Sequence, residues 1–196
     1  LGKYLALLVV YLIPLAIISL YPLIFSQYGD VYLLTAYGSI LAFFILGAAL
    51  IALGVFISSL TENQGFAAGI GIAVILLNYY SVSLSQSVSS TAFGSLVALA
   101  ALIVALGFII KHLTKNNPMV WTICIALYAA MLIAYWVDHT KFEGLLPIIM
   151  TTLSLFERFY VFVNGVFDVT GIVYYLTVIV FFLFLSVQSL EKRRYN

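Results

Sequence analysis

Charge is what this sequence has least of. Only 8% of its residues are Asp, Glu, Lys or Arg, against about 25% in a soluble globular domain. Between Val31 and Ile110 a single charged side chain occurs, Glu62. With 65% hydrophobic residues, the chain excludes a soluble fold with a polar exterior and reads as a membrane protein. A net charge of +1 leaves no basic patch for nucleic acid. One cysteine, Cys124, excludes an internal disulfide, and its apolar neighbourhood reads as that of a small buried hydrophobe.

Chemistry-bearing patterns are missing too. No G-x-x-x-x-G-K-[ST] loop is present to cradle nucleotide phosphates, so ATP hydrolysis by that machinery is excluded for this chain alone. His112 and His139 fall in connections, with no second ligand at metal-binding spacing. The serine-rich stretch NYYSVSLSQSVSST (78–91) offers hydroxyls without a base and reads as an external turn. No catalytic, cofactor-binding or metal-ligating residue is therefore expected, and the chain is not expected to be an enzyme. It opens Leu-Gly-Lys, with no signal-peptide pattern, so a natural upstream part is expected to be missing.

What is present is a succession of apolar runs. A helix rises about 1.5 Å per residue, so about 20 apolar residues cross a bilayer core. The expectation is an all-α polytopic membrane protein, one transmembrane domain over 1–196, with six spans at about 4–25, 33–58, 66–84, 93–110, 120–137 and 172–190. Pro14 and Pro22 are expected to bend the first span. Pro118 can open the fifth. Trp121 and Trp136 mark its two ends as interfacial anchors. Between the fifth and sixth spans, 142–168 holds two apolar stretches too short to cross. It reads as a re-entrant or interfacial helical pair, with Pro147 starting the first helix, or as a folded external loop.

Six spans place both ends on one side. That side holds Lys3, Lys111, Lys115, Lys192, Arg193 and Arg194, and the other Lys141 and Arg158. The excess puts both ends in the cytoplasm. Glu62 then lies in a cytoplasmic turn, where water solvates it. At the bilayer centre a charge costs at least roughly 2.5–3.5 kcal/mol. No expected span holds an ionisable group for a driving ion, which disfavours an ion-coupled transporter.

Small residues supply helix contacts: Gly65 and Gly69 form a G-x-x-x-G, Ala67 and Gly71 a further pair, and Gly47, Ala48, Ala52 and Gly54 line the second span. They read as internal packing or as a dimer face. Thr61 or Asn63 is expected to cap the third helix. Glu157 and Arg158, adjacent opposite charges in the 142–168 segment, read either as an external gate or as the place where a helix reaches water.

Three blocks, LGKYLALL, YGSILAFFILGAALIALGVFISSLTENQ (37–64) and FDVTGIVYYLTVIVFFLFLSVQSLEKRRY (167–195), resemble the permease subunits of ABC-2-type ABC transporters of the gliding-motility branch. About half the chain carries the likeness; 85–166 adds little. The resemblance implies an all-helical permease in a bacterial plasma membrane, paired with a second permease subunit as a homo- or heterodimer. It further implies a separate cytoplasmic ATP-binding subunit as the holder of ATP and Mg. The turn Thr61, Glu62, Asn63, Gln64 becomes a secondary contact for that ATPase, and the main contact belongs to the missing upstream region. A membrane scaffold or assembly subunit, a secondary transporter or channel, and an integral-membrane enzyme are the competing readings.

Overall fold

The structure, a computed structural model, describes all residues except Ser89, Lys115, Asn116, Tyr195 and Asn196. Side chains are also outside the description at 102, 105, 106, 108–114, 117–120, 123 and 192–194. Of the cations counted for orientation, Lys115 thus lies outside the described residues, and Lys111, Lys192, Arg193 and Arg194 contribute backbone alone.

Every described regular element is helical: α1 (Gly2–Phe25), α2 (Leu33–Leu60), α3 (Gln64–Ser87), α4 (Ala92–Thr114), α5 (Asn117–Val137), a 3-10 turn (His139–Phe142), α6 (Leu145–Thr152), α7 (Leu155–Val163) and α8 (Val169–Arg194). Among the described residues four helices, α1, α2, α3 and α8, are long and apolar enough to cross a membrane, or five if α6 and α7 count as one broken span. The apolar helical runs described within α4 and α5, Ala92–Ala101 and Cys124–Val137, are shorter.

Pro14 and Pro22 both lie inside a continuous α1. α3 runs on through Ser87, three residues past the expected end at 84 and well into the stretch 78–91 that reads as a turn. The reason is local: a serine hydroxyl can satisfy itself on the preceding turn, as Ser85 Oγ does by donating to Val82 O at 2.6 Å. Hydroxyl-rich sequence therefore sustains a helix that composition alone would end.

The chain divides into two compact units, 1–79 with 154–196, and 80–153. In the first, α2 is the hub, flanked by α1, α7 and α8. Over its most apolar stretch 39% of residues are buried, against none for α1. Ala42, Ala48, Ala49 and Ala52 supply that buried face, because small side chains let backbones approach. α1 crosses α2 antiparallel: Tyr11 OH donates to Phe43 O at 2.8 Å, and Tyr37 OH to Ser19 O at 3.1 Å. α8 runs parallel to α2, with Tyr175 packed on Leu46 and Ala49, the Phe56 and Phe182 rings 5.5 Å apart, and Ser189 Oγ donating to Ser59 O at 3.1 Å.

In the second unit α4 packs on α5, on α6 and on the 3-10 turn. Tyr128 OH donates to Ala100 O at 2.7 Å. A Cβ on Gly107 would meet Cys124 Sγ at 2.6 Å, which fixes the small residue there. Asp138 caps the 3-10 turn, accepting from Thr140 N at 3.2 Å and from the Thr140 hydroxyl, and pairs with Lys141 at 3.5 Å. The Thr140 hydroxyl first, and then Lys141, hold its carboxyl below the ordinary carboxylate range.

Candidate functional site

Two places concentrate the polar chemistry of the first unit: the turn after α2 and the short helix α7. At the turn, Thr61 leaves helical geometry for extended backbone (φ −134°, ψ 150°) and ends α2. Thr61 Oγ1 accepts from Asn63 N at 3.3 Å, and Asn63 Oδ1 accepts from Gly65 N at 3.0 Å and Phe66 N at 3.2 Å. Of the two candidates, Asn63 is thus the cap of α3, and Thr61 steadies the loop. Glu62 and Gln64 are both exposed. A hollow lined by Lys3, Gly54, Ser58, Ser59 and Leu190 lies at the same end of the unit.

The glycines expected to pack do so unequally. Any Cβ on Gly47 would collide with the Tyr11 ring, so this glycine seats α1 on α2. Gly54, Gly69 and Gly71 face open space within 4 Å, and Gly65 meets only its own cap, Asn63 Oδ1 at 3.4 Å.

α7 is built from a cap outward. Ser154 precedes it in extended backbone (φ −71°, ψ 121°), and its hydroxyl accepts from Glu157 N at 3.3 Å. The same hydroxyl donates to Asn78 O at 3.3 Å, while Asn78 Oδ1 accepts from Leu155 N at 2.9 Å. From the far side, Tyr175 OH donates to Leu155 O at 2.6 Å. Leu155 and Tyr175, 3% and 0% exposed, close the core against Leu46 and Ala49. Toward its C-terminal end α7 stacks Phe159 on Phe43, ring centres 6.1 Å apart, and Phe162 O accepts from Ser39 Oγ at 3.3 Å. α7 therefore lies antiparallel along the first half of α2. Leu46 is the fourteenth of the 28 residues of α2, so the buried end of α7 sits about 20 Å along it at 1.5 Å per residue.

Glu157 and Arg158 lie on this docked helix, both half-buried. Consecutive helical residues do not face each other, and the two form no ion pair. Arg158 turns to α8, its guanidinium carbon 5.7 Å from the centre of the Tyr174 ring. Arg158 Nε is enclosed without a hydrogen-bond partner, and among the described residues no carboxylate pairs with this cation. A cation on an aromatic face gains about 0.5–2 kcal/mol, whereas withdrawing an ion from water costs several. Tyr174 alone leaves Arg158 undercompensated.

Sequence reasoning singled out the turn residues and the Glu157–Arg158 doublet but missed Asn78, Ser154, Tyr174 and Tyr175, which set the surroundings of α7. The one legible signal was Ser154 placed three residues before Glu157, a capping pattern. Among the described residues no three His, Cys, Asp or Glu side chains gather. No family model, curated protein or solved structure matches the chain.

Proposed function

We propose that the chain is the permease subunit of an ATP-driven exporter of the ABC-2 type, powered by a separate cytoplasmic ATP-binding subunit and paired with a second permease subunit. The observation that carries this reading is the parallel packing of α2 on α8. Those helices hold the two longer blocks on which the resemblance rests, 37–64 and 167–195, and they are the ones that build the core of the unit.

Parallel packing also bears on topology. Two parallel spans need an odd number of crossings between them. α3, α4 and α5 supply three if α6 and α7 return to the face they entered from, and a crossing by that pair would make the number even. This supports six spans with a re-entrant α6–α7; the bacterial plasma membrane rests on the resemblance alone. Lys3, the 61–64 turn and the end of α8 at Leu190 share one end of the unit, which supports a common cytoplasmic face. The exposed Thr61–Gln64 turn is then free to touch the ATPase. Rigid-body motion of packed helices would transmit the work.

The test is to extract the natural full-length protein from its own membranes by a tag and identify what comes with it. A stoichiometric phosphate-loop ATPase is expected. A stable complex holding only integral-membrane partners would favour the scaffold reading instead.

A further inference from the structure

Among the described residues no carboxylate pairs with Arg158 to account for its charge. Its Nε is enclosed with no hydrogen-bond partner, and its guanidinium carbon stands 5.7 Å from the centre of the Tyr174 ring. Guanidinium carries five N–H donors in a planar fork, stays charged at all accessible pH, and matches the geometry of phosphate and carboxylate. Here Nε is already enclosed and the ring of Tyr174 holds the plane from one side. The residue as a whole is half-buried and not sealed from its surroundings. The one carboxylate beside it in sequence, Glu157, forms no ion pair with it.

α7 itself is held against movement at its buried end by Asn78 and Tyr175. The cation is therefore presented from a fixed support, between helices long and apolar enough to span a membrane, where an uncompensated charge is most costly.

The geometry points to Arg158 as the recognition residue of an oxyanion site on the α7–α8 face, one that takes a phosphate group borne by a lipid or free in solution. The anion receives two N–H donors from the guanidinium, and Tyr174 keeps the fork oriented. The site stands on the surroundings of Arg158 and holds whether or not an ATP-binding partner exists.

The experiment uses the natural full-length protein in phosphate-free maltoside micelles and reads the thermal midpoint. Phosphatidylglycerol, diacylglycerol with the same acyl chains, and inorganic phosphate are added separately. Phosphatidylglycerol is expected to raise the midpoint by several degrees more than diacylglycerol, and Arg158→Gln to remove that difference. Arg158→Lys, which keeps the charge but not the fork, should retain less than half of it. A rise with inorganic phosphate alone assigns the site to the free ion, and a rise with phosphatidylglycerol alone to the lipid. Equal behaviour of wild type and Arg158→Gln with every ligand overturns the site. Should Arg158→Gln fail to fold, native mass spectrometry of the wild type decides: preferential retention of phosphatidylglycerol over diacylglycerol, or of bound phosphate, is expected, and no preference for either overturns the proposal.

Discussion

The turn at 61–64 and the helix α7 carry nearly equal numbers of polar groups and treat them in opposite ways. At the turn, Glu62 is exposed, and the polar side chains are spent on backbone N–H groups that a helix start leaves unpaired. On α7, a cation is folded against an aromatic ring with its Nε closed off. The difference is one of solvent. Water at the turn compensates a charge at no cost to the fold, so Glu62 is free to serve a partner or nothing at all. Packing around α7 restricts that option at Nε, and among the described residues no carboxylate pairs with Arg158.

The contrast can be broken by mutation. The largest effect is expected for Leu155→Ala, which opens the core between α2 and α8 and should destabilise by about 2–5 kcal/mol, read by unfolding in micelles. Asn78→Ala should come next: it strands Leu155 N while leaving the backbone carbonyl that accepts from Ser154, at about 1–3 kcal/mol. If Asn78→Ala proves neutral, α7 is not held by α3. Asn63→Ala, at the turn, should cost about 1 kcal/mol through loss of the α3 cap.

Glu62→Ala and Gln64→Ala should leave stability within about 0.5 kcal/mol of wild type, but lower ATP hydrolysis in the assembled complex. Wild-type coupling in both would remove the turn as an ATPase contact. The smallest effect concerns pH. Asp138 has its pKa lowered in the folded chain, so its contribution to the 139–142 turn is present above the ordinary carboxylate pKa near 4 and fades as pH falls through the lower folded value. Asp138→Asn should flatten that acid limb when local amide exchange is followed.

Sequence alone made α1, α2 and α8 legible, because uninterrupted apolar runs of twenty or more residues admit few other readings. It placed the start of α3 within two residues, at Gln64 against the expected 66, because Thr61 and Asn63 announce a cap. The end of α3 was legible less closely, at Ser87 against the expected 84. Serines that bond their own helix look like serines that end one. The docking of α7 was hidden, since Asn78 reads as the start of a turn until Leu155 N is seen to donate to it. Arg158 next to Glu157 reads as a gate or as the place where a helix reaches water, and only the structure shows Arg158 against the Tyr174 ring. Gly47 among the glycines is distinguished by Tyr11, an α1 residue 36 positions away, which no local pattern encodes.

The account turns on the membrane part having no energy source of its own. The most direct measurement places the natural full-length protein alone in sealed vesicles, imposes a sodium or proton gradient, and follows its decay with an ion-sensitive dye. Decay at the rate of protein-free vesicles is predicted for both ions. Faster dissipation by the protein unaided would contradict the account, because it would make the chain a secondary transporter or channel.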